Sequence, residues 1–185
     1  MKYKLVFSIF FIGLVVILIS IKPLGRVFYT LKYDEFISKY SMEYSLDPFM
    51  VASLIKAESN FDSNAKSHRD AYGLMQITAE TGKWAAGEMK IENFNSDLLY
   101  DPEFNIKMGC WYLSKLKRQF NGNMNVVLAA YNGGSGNVQK WLNSTKHSSD
   151  GQNLDYIPFK ETDKYVKRVN TNIKIYKFLY IGIKK

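Results

Sequence analysis

The sequence predicts a mainly α-helical domain carried behind one N-terminal membrane helix. An uncharged apolar run, LVFSIFFIGLVVILISI, covers residues 5–21. Beyond it, apolar side chains recur three and four residues apart in several segments, the spacing of one helix face. Outside the run there is no alternating apolar–polar stretch of useful length, so helices rather than sheet must build the core.

At about 1.5 Å per residue the apolar run spans roughly 26 Å, near the lower limit for crossing a bilayer. Lys2 and Lys4 precede it, and Lys22 and Arg26 follow. It is long for a signal-peptide core, and no A-x-A-like cleavage site follows. Residues 1–26 therefore read as an uncleaved, single-pass signal anchor; that the following domain is extracytoplasmic is expected from the family resemblance of that domain, not from the run itself. The competing reading is a signal removed on secretion. Basic side chains on both flanks leave the orientation open in the sequence itself.

Residues 27–185 make up the folded domain, long enough to bury a sizeable core. Of the net charge of +8, four positive side chains flank the apolar run, which leaves +4 for residues 27–185. That balance suits an anionic polymer or a membrane surface. No Lys/Arg cluster has nucleic-acid spacing, so nucleic acid is not an expected partner. The single cysteine, Cys110, excludes an intramolecular disulfide and sits in the apolar stretch MGCWYL, where it reads as a small buried hydrophobe. With only His68 and His147 as histidines, neither a Cys–His nucleophile nor a zinc site is expected, and no cofactor is expected.

The elements follow in order. Residues 27–44 have helical spacing, with Phe28, Leu31, Phe36, Ile37 and Tyr40 on one broad face. Asp47 and Pro48 are a cap and a first helical residue, and the helix runs through FMVASLIKAES to Ser59-Asn60. A helix is predicted over Ile77–Met89, interrupted in quality by Gly82 and Gly87. Asp101-Pro102 opens another, with Ile106, Gly109, Cys110 and Leu113 on one side. Asn125 precedes a helix VVLAAYN that Gly133-Gly134 breaks. Residues 143–155 are a polar loop, and a last helix covers roughly 161–181, with Tyr165, Val169, Ile173 and Tyr176 on a shared face.

One carboxylate stands out. Val51, Leu54, Ile55 and Glu58 are offset by three and four, so Glu58 lies on the apolar side of its helix. Desolvation there disfavours the charged form and raises the pKa. An acid kept protonated near neutral pH can donate to a leaving oxygen. The bland alternative is a solvated or Lys-paired residue at a helix end.

Five blocks in order resemble the soluble-lytic-transglycosylase (SLT) catalytic domain, a relative of goose-type lysozymes. They are YSLDPFMVASLIKAESNF, SHRDAYGLMQIT, LLYDPEFNIKMGCWYLSKL, LAAYNGGSGNV and IPFKETDKYVKRV, spread over about residues 36–170. Each alone is weak, and five in register are strong. The resemblance implies a lysozyme-like helical fold with a catalytic cleft. It implies a peptidoglycan glycan strand as substrate, cut between N-acetylmuramic acid and N-acetylglucosamine to leave a 1,6-anhydromuramoyl end. Glu58 would be the catalytic acid and then base. Ser59, Met75, Gln76, Tyr131, Asn132 and Tyr165 would bind or orient the sugars. For Met75 and Tyr165, core packing is the competing reading. Glu161 would hold structure through hydrogen bonds.

Asn60 and Asp70 stand where the family has Gly, and both tolerate left-handed backbone. Ala79 stands where a Pro is frequent. Two other functions are compatible with the resemblance: a hydrolytic muramidase, which needs a positioned water and a second carboxylate, and an inactive wall-binding scaffold. Protein partners are unspecified.

Overall fold

The computed structural model describes residues 2–182. Eight helices and one two-stranded hairpin are found among them. Helix α1 (Lys2–Phe28) holds the apolar run, and its stretch Phe10–Phe28 is long and apolar enough to cross a membrane. The sequence placed one helical stretch over 27–44. The structure divides it: α1 ends at Phe28, Tyr33 takes a left-handed φ of 55°, and α2 is Asp34–Glu43. Ile37 and Tyr40 are buried as expected, but Phe28 lies before the break and is exposed.

Helix α3 (Pro48–Glu58) is the centre of the domain. The Asp47 carboxylate accepts from the Phe49 N–H at 2.9 Å and Pro48 opens the first turn. Such a cap contributes about 1 kcal/mol. Met50 to Ile55 are all buried, so the helix is enclosed on every face, against α2 and against α8 (Lys160–Tyr180).

The hairpin β1 (Ala71–Tyr72) and β2 (Ile77–Thr78) pairs antiparallel, Ala71 with Thr78 and Tyr72 with Ile77. It takes the first two residues of the predicted Ile77–Met89 helix, and α4 is Ala79–Glu88, capped by the Thr78 hydroxyl. A 3-10 turn over Ser96–Tyr100 leads to α5 (Pro102–Gln119), whose Asp101 cap accepts from Phe104 N–H at 2.8 Å. Ile106, Gly109, Cys110 and Leu113 are buried along it.

Helix α6 (Met124–Gly133) is capped by Asn123 and begins one residue before Asn125, which the sequence reading set ahead of the helix. The Asn123 amide also donates to Gln152 O and Asn153 Oδ1, tying down the 143–155 loop. Asn125 instead lies inside the helix and accepts from Asn170. The chain reverses at Gly134, φ +86°, and re-enters a helix at once: α7 (Ser135–Leu142), absent from the sequence prediction. It is two turns long and buries only Val138, Trp141 and Leu142, too few positions to give a clear period. Helix α8 starts at Lys160 and buries Tyr165, Val169 and Tyr176 along its inner face.

Cys110 is fully buried and burial pushes its thiol up, the state of an inert core residue. Glu161 departs from expectation: its side chain is exposed and lies 3.8 Å from Arg69. The structural bond in that block is made by its neighbour Thr162, which donates to Asn132 Oδ1 at 2.8 Å.

Candidate functional site

The end of α3 sets the position of Glu58. Ser59 closes the helix, its N–H donating to Ile55 O at 3.0 Å. The chain then turns through Asn60 and Phe61, both left-handed at φ 52° and 66°. Asn tolerates this region, which is how it stands in for glycine. Phe61 is held there by burial. Asp70, at φ 51°, opens the hairpin in the same conformation.

The tip of the hairpin, Gly73 to Gln76, packs beside the end of α3. The Ser59 hydroxyl donates to Leu74 O at 2.8 Å. Asn105, buried on α5, accepts from Met75 N–H at 2.8 Å and donates to Tyr72 O at 2.9 Å and Leu99 O at 2.7 Å. From the opposite side the Tyr131 hydroxyl donates to Met75 O at 2.8 Å. The Met75 peptide groups are thus gripped by α5 and α6 together. Gly73 sits at φ +69°, and a Cβ there would collide with Leu99 O and Asn105. Gly109 leaves the space that the Met75 thioether fills. The Met75 side chain is fully buried, so core packing, not an open sugar platform, describes it. The Gln76 amide donates to Gly73 O at 3.0 Å and Ala65 O at 3.2 Å, bracing the turn from within.

Glu58 has its carboxyl enclosed by protein while the residue keeps a partial opening to solvent. Burial raises its pKa from 4.5 to about 7, the Tyr165 hydroxyl and the Arg168 charge oppose the rise, and Glu161 adds to it. Tyr165 is buried on α8, and its hydroxyl has no hydrogen-bond partner of good geometry, although it lies close enough to act on Glu58. Burial and the nearby Glu58 carboxylate push the Tyr131 and Tyr165 phenols up. Both therefore stay protonated as donors or acceptors. Asn132 follows Tyr131 on α6 and is fixed by Thr162.

Glu58, Tyr131 and Tyr165 are thus neighbours, with Ser59 next to the acid at the helix end and Met75 and Gln76 in the adjoining turn. Two contributors were not singled out in the sequence. Asn105 is a polar residue on the apolar side of α5, four residues before Gly109, and that placement was its legible signal. Arg168 is an exposed cation one turn after Tyr165 and gave none. Among the described residues no three His, Cys, Asp or Glu side chains converge to hold a metal ion.

The chain is similar to known proteins. The transglycosylase SLT domain family matches residues 35–154. The soluble lytic murein transglycosylase of Escherichia coli K12 is 33% identical over 143 residues, covering 76% of this chain and 22% of that protein. Membrane-bound lytic murein transglycosylase C of Cronobacter sakazakii is 29% identical over 174 residues, covering 79% of this chain and 46% of the relative. The crystal structure of an inactive glutamate-to-glutamine mutant of lytic transglycosylase Slt from Pseudomonas aeruginosa superposes with a TM-score of 0.74 at 30% identity, covering 83% of this chain and 25% of the other. The chain spans under half the length of each of these relatives. With the helical frame, the hairpin turn and the family match in agreement, the chain belongs to the transglycosylase SLT domain family.

Proposed function

We propose that this protein is a peptidoglycan lytic transglycosylase, with residues 27–185 as the catalytic domain and residues 1–26 as its membrane anchor. The observation that carries the reading is Glu58: an enclosed carboxyl with its pKa near 7, flanked by two protonated tyrosines, inside an SLT domain. An acid poised there is half protonated at neutral pH and can act in both directions.

In the first step Glu58 donates its proton to the glycosidic oxygen between N-acetylmuramic acid and N-acetylglucosamine, the bond from that oxygen to the muramoyl C1 breaks, and the N-acetylglucosamine leaves with the proton on its 4-hydroxyl. The muramoyl N-acetyl carbonyl stabilises the oxocarbenium-like C1, as in substrate-assisted glycosidases. Glu58, now a carboxylate, removes the proton of the C6 hydroxyl, which attacks C1 and closes the 1,6-anhydro ring. Attack from within the same sugar needs no captured water, and proximity favours it. The other carboxylate that Glu58 feels is Glu161, which is solvent-exposed beside Arg69. That placement suits a single-acid cycle better than a two-carboxylate hydrolysis. Tyr131, Tyr165, Asn132, Gln76 and Ser59 order the site around the acid. Met75 contributes through its backbone.

Two relatives frame the rest. The Cronobacter sakazakii protein is named as membrane-bound, and α1 supplies an apolar helix of sufficient length. We place the chain in the cell membrane as a single-pass protein, with the catalytic domain on the wall side. The Pseudomonas aeruginosa structure is of a mutant inactivated by glutamate-to-glutamine replacement. The matching experiment is digestion of purified peptidoglycan by the wild type and by Glu58→Gln, read by mass spectrometry. Anhydromuramoyl ends from the wild type alone are expected. Reducing ends would replace this reading by a muramidase, and no cleavage would leave a wall-binding scaffold.

A further inference from the structure

The base of the domain carries apolar side chains that the fold leaves uncovered. α8 descends along the end of α1, its later residues meeting earlier ones of the chain. Tyr176 donates to Thr30 O at 3.1 Å and Tyr180 to Tyr29 O at 2.9 Å. Arg26 reaches Leu179 O with two donors, at 2.8 and 3.1 Å. Gly25 lets Leu179 seat against α1, since a Cβ there would lie 2.6 Å from its methyl group. Lys56, from the central helix, donates to Phe28 O at 2.8 Å. The juncture of α1 with the domain is therefore clamped and is not a loose tether.

That clamp brings the end of α8 to the level where α1 passes from apolar to basic. Lys22 stands 5.3 Å from the centre of the Phe178 ring and Arg26 5.5 Å from that of Tyr180. On the outer face of α8, Lys174 and Phe178 are four residues apart, and Ile181 is the extended residue that caps the end of the helix. Lys174 is exposed, Phe178 is 55% exposed and Ile181 60%. Leu24, Val27 and Phe28 on α1 are uncovered as well. The result is an apolar and aromatic band beside a membrane helix, studded with cations. A patch of this kind marks an interaction surface. Aromatic rings with long basic side chains suit the boundary between headgroups and acyl chains, and anionic lipids attract the cations.

We infer that the C-terminal end of α8, through Phe178 and Ile181, seats in the interfacial layer of the same bilayer that α1 enters, so that the domain has two contacts and one fixed orientation on the membrane. This rests on the anchor reading given above. The lipid surface is favoured over a protein partner because the band is continuous with the membrane helix itself.

The test uses the full chain in vesicles of equimolar phosphatidylglycerol and phosphatidylethanolamine. Cys110 is buried, so one introduced cysteine at an exposed site takes the fluorophore. Labels go on Phe178→Cys, Ile181→Cys, Phe11→Cys within α1, and Tyr156→Cys just before the opposite end of α8, all exposed positions. Lipids with a nitroxide near the headgroup are then added. The labels at 178 and 181 should lose most of their emission while the label at 156 keeps it. If 178 and 181 behave like 156 while the α1 label is quenched by deep nitroxides, the anchor stands and the seat is overturned. If the α1 label is also unquenched, the anchor reading falls and the seat with it.

Discussion

The Tyr131 hydroxyl donates to the Met75 carbonyl at 2.8 Å, joining α6 to the turn that adjoins Glu58. Tyr131→Phe removes the donor and leaves a partly buried carbonyl unpaired, a cost of about 1–3 kcal/mol. Thermal unfolding should register that loss. The turnover of peptidoglycan should fall further than stability does, because the ring keeps its place while the turn loosens.

Glu58→Gln should be inactive yet more stable than the wild type at neutral pH. The folded-state pKa of Glu58 is raised from 4.5 to about 7. Below pH 4.5 the group is protonated in both states and contributes nothing to the difference. As pH rises to about 7 the unfolded chain ionises first, so the wild type loses stability across that window. The neutral glutamine escapes this loss, worth up to about 3 kcal/mol above the window. Urea unfolding at pH 4 and pH 8 tests it: equal gains at both pH values would contradict a buried acid.

Tyr165→Phe removes a hydroxyl that lowers the Glu58 pKa. The pKa should then rise above its present value near 7, and the alkaline limb of the pH–rate profile should move to higher pH. Arg168→Gln should move it the same way, since the lost positive charge also favours the carboxylate. A profile unchanged in both variants would separate Glu58 from the titration that limits turnover.

Asn105→Leu deletes three hydrogen bonds, to Met75 N–H, Tyr72 O and Leu99 O, in a fully buried place. Several buried polar groups left unpaired at about 1–3 kcal/mol each make this a severe lesion. Differential scanning calorimetry should show a large fall in Tm with loss of activity. A fall of only a degree or two would mean that the turn finds other partners.

Gly109→Ala tests the packing under the same turn. The added methyl meets the Met75 thioether and Cβ. Overpacking of this kind costs about 1–3 kcal/mol. Because Met is flexible, Met75→Ala in the same chain should recover part of that loss, measurable as a double-mutant cycle.

The local signals were legible because they act over one or two turns of chain. Asp47-Pro48 and Asp101-Pro102 capped their helices as the sequence indicated, since a side-chain oxygen reaching an N–H two or three residues on needs nothing from the rest of the fold. The left-handed turns at Asn60 and Asp70 follow from the same local preference. The start of α6 was less legible: Asn123 caps it, and its amide also holds the loop 29 and 30 residues away.

The apolar run, the five family blocks and the placement of Glu58 on an apolar face belong to the sequence alone, because periodicity and residue type are local properties. The tertiary structure decided what surrounds that carboxyl. It brought Tyr131 of α6, Tyr165 of α8 and the Met75 turn to one end of α3, and it buried the Met75 side chain while using its peptide groups. Desolvation depends on every element packed around a group, so a pKa near 7 emerges only when helices far apart in the chain close over it.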